Sequence, residues 1–364
     1  MKKVLLKFYD KNNLGDDLFI KLITNRYENN FSIILSANNP YLESIKHLTI
    51  YKNKALYFLY KVVGKIINVR NIWLNRLVKK HDLLVSVGGS IFIENNNLPT
   101  WKAERSFYQN LSVPYYIVGS NVGPYQSSEF ITIINDIMEK AKDVCLRDTV
   151  SYELFQELHS TRVATDIAFS LDTSNYAIKH EKIAIFSMIN CSARFGKKMG
   201  DQYNQEMRKM TQRLIKQGYK VIYMSFCKFE GDELAIEDVM SNMDKTLTEH
   251  IEVFHYHGNL EEALALIASS AIIIATRFHA VILGLLFSKK VLPIAYDKKT
   301  THILNDIAFQ GTVIDIEALD AFHGDTIDFD SLPINNIDKE RQLAALQFKE
   351  LDKILVKRKE SVFA

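Results

Sequence analysis

Short apolar, β-branched runs alternate along this chain with longer stretches whose apolar residues recur every three or four positions. The runs are too short for helices, so they read as strands, with helices between them. In the first half they fall at residues 2–8, 31–37, 82–88, 114–120, 143–148 and 161–166, and in the second at 182–188, 219–226, 251–256, 271–276, 290–296 and 311–316. Strands regularly separated by helices predict parallel sheets covered by helices, here two α/β sheets in succession. The polar stretch LDTSNYAIKHEK, residues 171–182, separates the two sets of strands. It places an N-terminal domain at 1–173 and a C-terminal domain at 174–335. Residues 336–364 follow as a terminal segment, in which Leu343, Leu346, Phe348, Leu351, Ile354 and Leu355 mark a helix expected to pack back across the first domain.

Composition narrows this picture. A chain of 364 residues, 47% apolar and 24% charged, has the material for two well-packed domains. A net charge of +2 argues against capture of nucleic acid by the whole surface. Cys145, Cys191 and Cys227 are far apart and show no CxxC spacing, so neither a disulfide scaffold nor a structural zinc site is indicated, and a reducing cytoplasm fits. The basic start MKKVLLKFYD reads as a first strand rather than a signal peptide, and no apolar run approaches the ~20 residues that cross a bilayer.

Open α/β sheets bind ligands beyond the carboxyl ends of their strands, which makes the residues there the candidates for chemistry. After the first strand come Gly15, Asp16 and Asp17, with either Asp placed to cap a helix or to meet a hydroxyl. Gly88, Gly89 and Ser90 follow the third run, and Gly119, Asn121, Gly123 and Pro124 close the fourth. Arg147, after the fifth, suits a carboxylate or phosphate, or else an ion pair with Asp148. In the second half Asn190, Ser192 and Arg194 follow one strand, Arg277 and His279 another, and Tyr296, Lys298 and Lys299 the next. Arg277 and His279 stand between two apolar stretches, and an arginine buried there needs a partner. No carboxylate lies close by in sequence, which favours an anion site at a helix start. His255 and His257 stand at strand spacing with no third ligand near in sequence, so two surface or core histidines are expected and no metal. Residues 51–80 carry eight Lys or Arg and no acidic residue among apolar positions, the pattern of a helix suited to an anionic membrane surface or a lipid diphosphate, or simply of a helix with lysines over its apolar face.

The segments NLGDD, LLVSVGGSIF, YYIVGSNVGP, CLRDTVSYELF, TDIAFSL and the long stretch around Arg277-Phe278-His279 occur in the order seen in polysaccharide pyruvyltransferases, and the chain resembles that family from about residue 9 to about residue 300. It departs from the family's common pattern at Ser90, where a third glycine often stands. The resemblance implies two Rossmann-like domains facing across a cleft in a GT-B-like arrangement. It implies a transferase, acting in the cytoplasm or at the inner face of the membrane, that uses phosphoenolpyruvate as donor and no cofactor to build a pyruvate ketal on a sugar of a cell-surface polysaccharide or its lipid-linked precursor. By position, Arg277 and His279 look like the family's catalytic pair, and Arg147 and Arg277, with Arg194 and Lys298 nearby, like the donor-binding cations. Gly15, Asp16, Asp17, Gly88, Gly89, Ser90 and Asn121 then fall on the acceptor side. Two other readings share the fold: a glycosyltransferase using a nucleotide sugar, with Glu230 or Glu233 gripping a ribose, and a binding protein without catalysis.

Overall fold

The computed structural model describes residues 1–52, 69–94 and 98–356. Within them the apolar runs do form strands. A seven-stranded parallel sheet has the order β3-β2-β1-β4-β5-β6-β7, and a six-stranded parallel sheet the order β10-β9-β8-β11-β12-β13. The strands of the first are β1 (Lys3–Lys7), β2 (Asn30–Leu35), β3 (Leu48–Lys52), β4 (Leu83–Val87), β5 (Tyr115–Ser120), β6 (Asp143–Leu146) and β7 (Thr161–Val163). Those of the second are β8 (Ile183–Ser187), β9 (Lys220–Met224), β10 (Ile251–Phe254), β11 (Ile272–Ala275), β12 (Lys290–Ala295) and β13 (Ile314–Asp315). Every residue of β4, β5, β6, β8 and β11 is buried, which is why these strands lack the alternation of a half-exposed sheet.

Strand order positions the site. In both sheets the chain winds outward one way, then returns to the centre and winds the other way, so the order reverses between β1 and β4 and again between β8 and β11. Helices leave opposite faces of the sheet at such a point, and the crevice between them opens at the carboxyl ends of the two strands. The segments beginning at Asn13, Gly88, Asn190 and Arg277 are the ones that follow these four strands.

The sequence reading is corrected in two places. β3, which pairs with β2 from Leu48 to Lys52, was not anticipated, and it takes Tyr51 and Lys52 out of the basic helix expected over 51–80. Of that segment, the helix Val69–Val78 is described, while residues 53–68 lie outside the described residues. The terminal segment is two short helices, Asp338–Ala344 and Lys349–Leu355, joined by a 3₁₀ turn, rather than one continuous helix. It packs against the first domain as expected. Gln347 in the turn accepts from the Gly119 amide at 2.9 Å and donates to the carbonyls of Ala164 and Thr165 at 3.1 and 2.9 Å. Asp352 takes a bidentate pair of bonds from Arg26 at 2.8 and 2.7 Å.

One apolar core crosses from sheet to sheet. Leu18 and Phe19 of the helix Leu14–Arg26, Ile167 and Phe169 of a 3₁₀ turn, and Val281 and Leu285 of the helix Phe278–Leu286 belong to the same buried cluster. Polar ties run alongside it: Leu14 N donates to Phe226 O at 3.0 Å, and Tyr41 N to Gly258 O at 3.0 Å. The two walls of the cleft are thereby held face to face.

Candidate functional site

A cleft of about 620 Å³ lies where the two crevices meet. From the first sheet it is lined by Tyr9, Asn13, Asp16, Gly89, Ser90 and Arg147; from the second by Arg194, Glu230, Arg277, His279, Tyr296 and Lys299. Lys7, Ile93 and Trp101 extend it along the first domain.

The first wall is shaped by small residues. Asn13 rather than Asp16 or Asp17 caps the helix Leu14–Arg26, its Oδ1 accepting from the Gly15 amide at 3.0 Å. A Cβ on Gly15 would run into the His279 ring, and one on Gly89 into the Arg147 guanidinium. These two glycines are therefore the sockets for the two long side chains. Gly88 has φ +148°, and a side chain there would press on Ile91 and approach Asp16 Oδ1.

Arg147 is buried and held from behind. Its Nη1 donates to Asp166 at 2.8 Å and its Nη2 to Asn121 Oδ1 at 2.6 Å, while its Cζ lies 4.1 Å from the centre of the Phe278 ring. Asp166, 19 residues downstream, is the partner in place of Asp148, which instead caps the next helix through the Ser151 amide at 2.7 Å. Asn121 thus serves the cleft by orienting Arg147.

The second wall carries the charge. Arg277 ends the loop after β11 in an extended conformation, φ −70° and ψ 135°, and its amide donates to Ser187 Oγ at 3.1 Å. Its guanidinium forks onto Asp232, the Nε bond being 3.0 Å, and its Nη1 reaches Glu230. The carboxylate partner missing from the local sequence is therefore supplied by residues 45 and 47 positions earlier. Glu230 also takes a bond from Arg194 Nη2 at 2.8 Å. Burial opposes ionisation of Glu230, but the charge and hydrogen bond of Arg277, with Arg194 and Lys299, hold it down at about 2. A carboxylate so engaged with two arginines is not available to grip a ribose. Glu233 turns instead toward His255 and His257.

His279 is in the first turn of the helix Phe278–Leu286, between the edges of Phe19 and Phe278 with ring centroids 5.2 Å from each. Among the described residues its Nε2 meets no hydrogen-bond partner. Burial, then the positive charges of Arg147, Lys299 and Arg277, push its pKa well below the usual histidine value, with Glu230 opposing. These surroundings favour the uncharged imidazole. Asp16 is displaced the other way: burial, then Asp17 and Glu230, raise its pKa well above the carboxylate range against Arg147 and Lys299. Two ionisable groups with oppositely displaced pKa values thus line one cleft.

Two expected residues stand elsewhere. Lys298 is exposed, and its neighbour Lys299 lines the cleft, with Nζ 3.0 Å from Asp297 Oδ2 and 3.4 Å from Ser90 Oγ and Tyr296 Oη. Asp17 is fully buried away from the cleft lining, where its Oδ2 accepts from Tyr256 Oη and Asn39 Nδ2, both at 2.6 Å. It ties the domains together rather than facing a substrate. Asp232 had no sequence signal beyond its chemistry, because its partner Arg277 is 45 positions away in the chain.

Comparison with known proteins agrees with this geometry. Across 97% of the chain the fold superposes on the UDP-GlcNAc 2-epimerase of Neisseria meningitidis, with a TM-score of 0.58 at 10% identity over 100% of that chain. It superposes likewise on HepE of Anabaena, with a TM-score of 0.55 at 11% identity, covering 97% of this chain and 95% of that one. These likenesses establish the GT-B-like arrangement. In sequence, the amylovoran biosynthesis protein AmsJ of Erwinia amylovora is 24% identical over 265 residues, which are 66% of this chain and 63% of that protein. The model of the polysaccharide pyruvyl transferase family matches residues 13–298, a span that takes in most of the lining of both walls though not Tyr9 or Lys299, and the chain belongs to that family.

Proposed function

We propose that the cleft transfers the pyruvyl group of phosphoenolpyruvate to a saccharide of a cell-surface polysaccharide, or its lipid-linked precursor, closing a ketal on two hydroxyls. The observation that carries this reading is the placement of Arg147, Arg194, Arg277 and Lys299 around His279, whose Nε2 meets no hydrogen-bond partner among the described residues. A donor bearing both a carboxylate and a phosphate needs several cations at once, and their effect is largest in a cleft that limits water.

The chemistry balances with the residues present. Protonation of the donor's methylene carbon makes the adjacent carbon electrophilic, and one sugar hydroxyl adds to it with loss of its proton. The bond to phosphate breaks, and a second hydroxyl adds at the same carbon and loses its own proton. One hydroxyl proton replaces the proton given to the methylene carbon and the other leaves with phosphate. Asp16 and His279 are the groups that carry these protons in this reading. Entry of an anionic donor offsets the charges of Arg147, Lys299 and Arg277 that depress His279, so donor binding raises its affinity for a proton and prepares it to assist departure of phosphate.

The acceptor follows from the rest of the cleft. Trp101 and Ile93 offer apolar surface of the kind a sugar ring packs on, with Lys7 beside them. The composition of residues 51–80 suits an acceptor carried on a lipid diphosphate at the inner face of the membrane. Among the described residues no helix is long and apolar enough to cross a membrane.

The test is a thermal-shift titration with phosphoenolpyruvate, run beside UDP and CMP. Lys299→Ala is the control, because removing Arg277 would strand Asp232 without its partner. Stabilisation by phosphoenolpyruvate alone, weakened in Lys299→Ala, is the expected result. Stabilisation by a nucleotide alone would overturn the reading in favour of nucleotide-sugar transfer.

A further inference from the structure

His255 and His257 follow β10 and leave it on one side, while Tyr256 between them turns inward to Asp17. Their rings are nearly parallel, 6° apart in plane with centroids at 5.9 Å. The expectation that no third donor reaches them is corrected by the fold. Parallel pairing of β10 with β9 brings the loop after β10 beside the helix Asp232–Ser241, whose first turn presents Glu233 to both rings. Glu233 Oε1 lies 3.4 Å from His255 Nδ1 and 3.6 Å from His257 Nε2.

Neither separation is a good hydrogen bond, and Oε1 is buried with no hydrogen-bond partner among the described residues. Ligand atoms sharing a tetrahedral ion at about 2.0–2.2 Å lie roughly 3.3–3.6 Å from one another, the range of both separations. All three donor atoms fall within 4.8 Å of one another, and no other group of three His, Cys, Asp or Glu side chains among the described residues meets that condition. The other carboxylate oxygen, Oε2, is held by Lys228 at 2.7 Å, which leaves Oε1 directed at the rings. The side chains of His255 and His257 are 47% and 54% exposed, so they are free to close the remaining distance by rotation.

We propose that Glu233, His255 and His257 form a binding site for a divalent transition ion of the zinc class, separate from the transfer cleft. Two imidazoles and one carboxylate are a zinc donor set, and three protein ligands leave a fourth position for water. The site also sits where it affects the cleft's supports. Tyr256, between the histidines, holds Asp17, and Asp232, beside Glu233, holds Arg277. An ion bridging the loop and the helix stiffens both supports without touching the donor.

The test is calorimetric titration of the full chain with ZnCl2 after chelator treatment and dialysis, beside Glu233→Gln and the double variant His255→Ala/His257→Ala. Because both histidines are about half exposed, the double variant keeps the fold, which circular dichroism checks. The expected result is uptake of a single Zn2+ per chain with a rise in melting temperature, affinity at least about tenfold weaker in both variants, and no response to MgCl2. Equal titration of wild type and the double variant, or no uptake by the wild type, would leave the cluster as a carboxylate beside two imidazoles and overturn the proposal.

Discussion

The two walls of the cleft are built from the same strand, loop and helix unit, yet they contribute differently. The wall after β1 and β4 presents the short residues Asn13, Gly15, Gly89 and Ser90, of which Asn13 and Ser90 meet the other wall only at 3.4 Å, through Glu230 and Lys299. The wall after β8 and β11 projects Arg194, Arg277 and His279. Each glycine is the space that one particular long side chain occupies: Gly15 for His279 from the opposite wall, Gly89 for Arg147 from its own. A strand-end glycine therefore reports on what faces it. The walls also differ in how they hold an arginine. Arg147 has one carboxylate and one amide behind it, whereas Arg277 lies against two carboxylates, Asp232 and Glu230.

That difference in support is the first to break. Asp232→Ala leaves Arg277 buried with Glu230 as its remaining carboxylate, and urea denaturation is expected to show a loss of about 3–5 kcal/mol. A loss below about 1 kcal/mol would mean that Glu230 alone satisfies the guanidinium.

The tie between the walls has a pH signature. Burial, against hydrogen bonds from Tyr256 and Asn39, lifts the Asp17 carboxyl from 3.8 to about 7. The folded protein then binds more protons than the unfolded chain between those values, so this residue's contribution to stability falls as pH rises from about 4 to about 7. Asp17→Asn, which keeps an oxygen for both donors, is expected to remove a change on the order of 4 kcal/mol across that range. Identical stability profiles for the two proteins would show that Asp17 ionises as an ordinary carboxyl.

The glycine sockets are tested through turnover. Gly15→Ala forces the His279 ring to move, and a displacement of catalytic groups by about an ångström costs on the order of 100-fold in rate. Phosphate release from phosphoenolpyruvate in the presence of acceptor measures it, and a rate within twofold of wild type would remove the close approach from the mechanism. The smallest effect separates neighbours on one helix. Lys299→Ala is expected to weaken phosphoenolpyruvate binding by about tenfold, roughly 1.4 kcal/mol, and Lys298→Ala to leave it unchanged. Equal losses would place both lysines at the donor.

Much of this molecule was legible in its local pattern. An apolar run buried on both faces looks the same in the chain as in the sheet, so β4, β5, β8 and β11 were readable without knowing their neighbours. The positions of Gly15, Gly89, Arg147, Arg277 and His279 at strand ends were readable for the same reason, since a strand's end is a local event. β3 escaped because LTIYK is an edge strand, partly exposed and adjoining a basic stretch that read as one long helix. Lys298 was preferred to Lys299 because successive helix residues point roughly 100° apart, and the rotation of a helix about its axis is set by packing.

What the chain by itself determined, then, is which segments are strands, which are helices, and which residues stand at their junctions; those follow from periodicity and turn chemistry acting over a few residues. Tertiary structure alone decided the pairings. Arg277 meets Asp232 across 45 positions, Asp17 meets Tyr256 across 239, and Glu233 turns to His255 and His257, because parallel strands separated in sequence bring their carboxyl ends to one edge. A charge in isolation states only that it needs a partner. The order of strands in the sheet settles which partner is within reach.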